Sequence, residues 1–165
     1  MTALEGSRVR LTPLAPADAE ALRAIRADPR IAERWDELEP GFPLHDEPEA
    51  TRYTIHHEGE IAGMIQFGEE TEPKYRHAWI DIFVAPGHQG LGVGAEAVQL
   101  IVDHLLVERG HHRLTIDPAA DNAAAIACYA KAGFRPVGVM RLAERDSDGR
   151  GWHDALLMEL VVERE

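Results

Sequence analysis

Apolar positions along this chain recur with two periods, and the switch between them marks out its elements. Val9-Arg10-Leu11-Thr12-Pro13-Leu14 alternates every second residue and predicts an edge strand ended by proline. Residues 18–26 predict a short helix with Leu22 and Ile25 inward, and Asp28-Pro29 stops it because the residue before proline avoids the helical region. A second short helix is expected over 31–35. Residues 51–57 and 61–67 flank His57-Glu58-Gly59-Glu60 and read as a hairpin. The apolar run over 78–84 predicts a buried strand. Beyond it, Val98, Ile101, Val102, Leu105 and Leu106 fall on one stripe of a 3.6-residue helix that Gly110 stops. A short strand over 112–116 follows, then a helix opened by Asn122 that runs to Lys131 and closes at Gly133. Residues 135–143 and 152–162 form a last hairpin across the polar turn 146–151. With no internal repeat and no break in composition, one domain over 1–165 is expected.

The pattern lapses over 33–49, where seven acids, three prolines and a glycine show no periodicity, so a loop is expected. Glu69, Glu70 and Glu72 read as another acidic loop before Pro73. The net charge of −12 argues against nucleic acid, whose phosphates require a basic face. It favours a cationic small molecule or basic peptide, or serves only solubility. The single cysteine, Cys128, cannot form an internal disulfide and reads as a small packing residue, which makes a reducing cytoplasm the simplest setting. No apolar run reaches the length of a membrane span, and the charged start lacks a signal-peptide core.

Between the strand at 78–84 and the helix lies Gln89-Gly90-Leu91-Gly92-Val93-Gly94. The first turn of a helix carries N–H groups without intrahelical partners and a partial positive charge. Glycines at alternate positions let a bulky group approach them, so a phosphate or diphosphate is the natural guest. The absence of Gly-Lys-Ser/Thr excludes a P-loop, and Gly92-x-Gly94-x-x-Ala97 stands too far from its strand for the dinucleotide fingerprint. The adjacent pairs His56-His57 and His111-His112 diverge and no ligand spacing accompanies them, so no metal site is expected. No Gly-x-Ser-x-Gly elbow marks a hydrolase. Asp81 interrupts an otherwise apolar strand. A carboxylate there either titrates near neutrality as a general base that also attracts an ammonium group, or pairs with an arginine such as Arg76 or Arg113. Asp117 before Pro118 is either a second acid for a cationic ligand or turn chemistry.

Gln89-x-x-Gly92-x-Gly94 opening a helix after a strand resembles the acyl-CoA loop of the GNAT superfamily of N-acyltransferases. The second half of the signature also matches: Thr115-Ile116-Asp117-Pro118, Asp121-Asn122, Ala125-Ile126-Ala127-Cys128-Tyr129 and Lys131-Ala132-Gly133-Phe134. This block is most like the aminoglycoside 6′-N-acetyltransferases and their lysine-acylating relatives. The likeness runs over 6–162 and is strongest over 78–135. It implies an α/β (α+β) fold, a mostly antiparallel sheet of about seven strands with one splayed parallel pair and about four helices. It also implies acetyl-CoA as cofactor. Ile82, Phe83 and Val84 then line its pantetheine arm, a backbone N–H there serves as oxyanion donor, and Gln89, Gly90, Leu91, Gly92, Val93 and Gly94 hold its diphosphate. Asn122, Ala125 and Tyr129 complete that site, with Tyr129 also donating to the sulfur. Asp81 and Tyr129 are the expected catalytic residues, and Trp35, Gln66, Asp81 and Asp117 the expected contacts to a primary amine of a small cationic, aminoglycoside-like molecule. The segment over 33–49 is one wall of that site or a solvated acidic surface. Two departures, a shorter acidic wall before Thr51 and Gly68 where the resistance enzymes tend to carry an aromatic, leave the acceptor open. A protein amine, a lysine-type siderophore precursor and a non-enzymatic acyl-CoA-binding module are the rival readings.

Overall fold

The computed structural model describes residues 1–164. Eight strands join one sheet in the order β1-β2-β3-β4-β5-β6-β8-β7. They are β1 (Leu4–Glu5), β2 (Val9–Pro13), β3 (Ala50–His57), β4 (Glu60–Glu70), β5 (His77–Val84), β6 (Arg113–Ile116), β7 (Arg135–Arg145) and β8 (Trp152–Val161). Every neighbouring pair is antiparallel except β5 and β6. Four α-helices accompany them: α1 (Ala19–Ala27), α2 (Pro29–Ala32), α3 (Val93–Asp103) and α4 (Ala123–Lys131).

Side chains alternate across a sheet, so β4 supplies two cores at once. Ile65 and Phe67 belong to the larger one, against Ala97, Val98, Ile101, Val102 and Leu105 on the stripe of α3. Met64 faces the other way, into a smaller cluster with Leu22 of α1, Ile31 of α2, Phe42 and Phe83. Burying each such side chain contributes about 1.5–3 kcal/mol, which fixes both helical layers to the sheet.

The parallel pair matters most for function. Register between β5 and β6 is confined to Ala78↔Leu114 and Trp79↔Thr115. Beyond Trp79, β6 keeps its antiparallel partner β8, whereas β5 runs on to Val84 beside β4 alone. The strands part, and two clefts open in the gap.

Several expectations change in detail. The sheet has eight strands rather than about seven, because residues 4–5 pair with β2, which is therefore not an edge. Glu69 and Glu70 belong to β4 and pair with Ala78 and His77. Glu69 tolerates this place because Arg109 and His111 both bond its carboxylate. The second short helix covers Pro29–Ala32 rather than 31–35, since the Asp28-Pro29 step that ends α1 also starts α2. The Asp28 carboxylate accepts the Arg30 N–H at 2.9 Å, and Pro29 occupies a first-turn position where its missing N–H costs nothing. The long helix passes through a π-helical turn, His104–Glu108, before Gly110 turns the chain at φ +71°. Residues 33–49 hold no helix beyond the end of α2 and no strand, as expected of a loop. No helix among the described residues is long and apolar enough to cross a membrane.

Candidate active site

Helix α3 begins without a side-chain cap. Gly92 occupies the N-cap position in the left-handed region at φ +81°, and the first intrahelical bond runs from Glu96 N–H to its carbonyl at 3.1 Å. The amides of Val93, Gly94 and Ala95 therefore lack an intrahelical acceptor, and the helix dipole adds to their positive potential. Two braces hold the loop in place. The Gln89 amide donates to the Val84 carbonyl at 2.8 Å, and Arg8 donates to the Leu91 carbonyl at 2.7 Å. A Cβ on Gly94 would stand 3.6 Å from Val84 and 3.7 Å from Cys128, so any larger side chain would grow into the space over the amides.

That space is a cleft of about 580 Å³ between the loop, Ile82–Val84 of β5 and one face of α4, with Arg30, Arg34 and Lys131 at its walls. Free amides, an open glycine cradle and Lys131 suit a carrier that bears phosphates, as coenzyme A does, while Arg30 and Arg34 are paired with Asp28 and Asp121. The Val84 carbonyl is turned to Gln89 and not to β4, and the N–H of a strand residue lies on the same side as its carbonyl. The Val84 N–H thus faces the gap. Ile82 N–H is already committed, to its neighbour Asp81 at 3.0 Å.

A second cleft, of about 630 Å³, meets the first where Trp35, Ile82, Asn122, Ala125 and Tyr129 line both. Five acidic residues line it, Glu33, Asp36, Asp81, Asp117 and Glu144, with Trp35 and Trp79 as apolar walls. Its basic residues have other partners. Arg34 pairs with Asp121 at 2.5 Å, Arg145 donates to the Gly149 carbonyl at 2.8 Å, and His153 bridges Asp146 and Glu144 at 2.9 Å each. Those two carboxylates hold His153 above the usual imidazole range, the Asp146 hydrogen bond most of all.

Asp81 lines the second cleft, next in the chain to Ile82, which lines both. Neither arginine considered from the sequence reaches it: Arg113 bonds Glu159 at 3.0 Å and Arg76 donates to the Arg109 carbonyl at 2.7 Å. Burial pushes its carboxyl up to about 7, Asp117 and then Glu144 add to the rise, and the Ile82 N–H and Gln66 amide oppose it. Asp117 is also raised, by burial and then by Glu144. The Tyr129 hydroxyl, in a residue only 8% exposed, is driven well above the usual phenol range by burial and then by Asp81. It keeps its proton at neutral pH and is a hydrogen-bond donor rather than a charged group.

Of the residues singled out from sequence, Ile82, Phe83, Val84, Gln89, Gly90, Gly92, Val93, Gly94, Asn122, Ala125 and Tyr129 line the first cleft. Trp35, Asp81 and Asp117 line the second. Two do not join them. Leu91 is 48% exposed and not part of the lining, its carbonyl engaged by Arg8. Gln66 is buried behind Asp81 and bonded to Arg52 at 3.1 Å, so it reaches the cleft only through its neighbour. Glu144 and Trp79, which no local sequence pattern marks, enter the second cleft through the sheet register, and Cys128 lines the first cleft as well as packing. Asp154 on β8 accepts the Leu142 N–H at 2.8 Å and is not part of either lining.

Gly68 has a structural explanation. It stands opposite Trp79, and a Cβ there would fall 2.2 Å from the indole ring. The Trp79 indole occupies the space over Gly68 from across the strand pair. Gly68→Ala is expected to push Trp79 into the acceptor cleft, costing about 1–3 kcal/mol of stability. A lower melting temperature together with a shifted tryptophan emission would register the displacement; a variant unchanged in both would show that the ring is not held there.

Residues 18–134 match the acetyltransferase (GNAT) family model. Streptothricin acetyltransferase of Streptomyces lavendulae is 29% identical over 148 residues, spanning 87% of this chain and 77% of that protein. Among solved structures, RimL, a ribosomal L7/L12 alpha-N-protein acetyltransferase in complex with coenzyme A, superposes with a TM-score of 0.83 at 20% identity, covering 99% of each chain. AAC(6')-Ib in complex with Parmomycin and AcetylCoA gives 0.75 at 23% identity, covering 94% of each.

Proposed function

We propose, for a chain that belongs to the acetyltransferase (GNAT) family, that the acceptor is a small polycationic molecule carrying a primary amine, aminoglycoside-like or streptothricin-like. The chain is an acetyl-CoA-dependent N-acetyltransferase with a mostly antiparallel sheet and one parallel pair. Acetyl-CoA supplies a thioester whose acetyl group passes to the amine. The amides of 93–95 and Lys131 hold the phosphates of the carrier in this reading, and Ile82–Val84 line its arm. The Val84 N–H is the donor available to a developing oxyanion.

The observation that carries the acceptor assignment is the acidic cleft: five carboxylates beside two indoles, with the basic side chains already paired or bonded. Such a surface attracts and desolvates ammonium groups. An amine enters as its ammonium form and must lose a proton before it can attack. Asp81, poised at about 7, is close enough to neutrality to accept that proton and still be ionised at working pH. Tyr129 stays protonated and donates a hydrogen bond to the leaving thiolate. A role in antibiotic inactivation follows if the natural acceptor is one of these compounds.

Release of free thiol from acetyl-CoA, measured with paromomycin, streptothricin, spermine and peptides bearing a free N-terminal alanine or serine, tests the assignment. The polycations are expected to give kcat/KM at least about tenfold above the peptides, a difference of ~1.4 kcal/mol or more. A preference for the peptides would transfer the assignment to a protein amine, in line with the RimL-like fold.

A further inference from the structure

We propose that Arg52 is a positioning residue for acetyl transfer: it holds the Gln66 amide with its NH₂ turned toward Asp81, and its other nitrogens tie the 43–47 segment to β3. The proposal rests on the reading of Asp81 as proton acceptor.

The argument begins with register. Arg52 stands opposite Gln66 across β3 and β4, and Gln66 opposite Asp81 across β4 and β5. Three polar side chains therefore form one row across three strands, at the spacing at which directly opposed residues interact. Arg52 and Gln66 are both buried, at 9% and 8% exposure, so the bond between them is made away from water. Arg52 Nε donates to Gln66 Oε1 at 3.1 Å. A guanidinium has donors and no acceptor, so Gln66 must present its oxygen to Arg52. Its NH₂ is then the end left to face Asp81, the residue directly opposite across β4 and β5.

The remaining nitrogens fix the guanidinium itself. Nη1 donates to the carbonyls of Pro43 at 2.9 Å and His45 at 3.2 Å, while Nη2 meets His45 Nε2 at 3.1 Å and the Glu47 carboxylate. Arg52 cannot swing away from Gln66 without releasing this loop. The amide is thus locked in the orientation that favours ionised Asp81, against Asp117, Glu144 and burial, which favour its neutral form. Arg26 is the cation whose charge interacts with Asp81, and Tyr129, held protonated, brings no charge of its own. With Arg52 gone, the amide is free to turn its oxygen toward the carboxylate, which disfavours the ionised base.

The pH profile of kcat/KM, taken with whichever of paromomycin, streptothricin, spermine or peptide turns over fastest, tests this. Gln66→Met and Arg52→Met are each expected to move the ascending limb up by about one pH unit, about a tenfold loss at pH 6. The double variant should move it no further than either single one. Arg52→Lys keeps a donor for Gln66 but not the fork to the loop, so its limb should stay near that of the parent while the acceptor KM rises. An unmoved limb in Arg52→Met beside a moved one in Gln66→Met overturns the proposal, as do shifts that add. Coenzyme A calorimetry on each variant reports an intact cofactor cleft. If Arg52→Met does not fold, an Arg52→Lys limb that coincides with that of Gln66→Met overturns it instead. Asp81→Asn separates the two levels: a parental limb in that variant removes the reading of Asp81 as base, whereas its loss there, with unmoved Arg52 variants, removes only the role of Arg52.

Discussion

Asp81→Asn is expected to lower kcat at least about 100-fold while leaving coenzyme A affinity within about twofold of the parent, the range in which positioned general bases act. Asparagine keeps the shape and an acceptor oxygen for Ile82 N–H, but it cannot take up a proton. The ascending limb near pH 7 should vanish with it. Stability should move the other way. The folded protein binds a proton on Asp81 between the ordinary carboxyl range and about 7, where the unfolded chain does not, so stability falls as pH rises through that window. Above pH 7 the folded protein holds an ionised carboxylate in a buried place, and Asn removes that cost. The variant is therefore expected to be more stable than the parent at pH 8 by roughly 1–3 kcal/mol, seen in denaturant unfolding. Equal losses of turnover and cofactor affinity would argue for a structural role, and a variant destabilised at pH 8 would argue that Asp81 has a favourable partner after all.

Gly94→Asp is expected to abolish measurable coenzyme A binding, a loss of at least about 100-fold or ~2.7 kcal/mol. The new carboxylate would sit over the free amides of α3, where it fills the cradle and repels phosphate. Its Cβ meets Val84 and Cys128 only at ordinary contact distance, and an acid in the first turn complements the helix dipole. Folding should be retained or slightly improved, which separates lost binding from lost structure. Calorimetry and thermal unfolding on the same sample check both, and unchanged affinity would mean that the phosphates sit elsewhere.

Local patterns made much of the molecule legible in sequence. The stripe on α3, the uncapped glycine loop before it and the lone acid in an apolar strand are signals carried by neighbours in the chain. Each led to its place in the structure. What escaped depends on partners far away in sequence. β1 is two residues long and exists only because β2 offers it an edge. Glu69 reads as loop until Arg109 and His111 neutralise it from the far end of α3. Glu144 reaches the acceptor cleft, and Gln66 retreats behind Asp81, through cross-strand register that no local window contains. The Asp28-Pro29 step shows a subtler gap: the same chemistry that ends one helix starts the next, and only the packing of Ile31 into the smaller core selects both.

The most direct measurement is a structure of the protein with coenzyme A and a polycationic amine bound together. The expected result places the diphosphate on the amides of residues 93–95 and the acceptor nitrogen within hydrogen-bond distance of Asp81, beside Tyr129. A complex with those amides vacant, or with the amine lodged away from Asp81, would contradict the account.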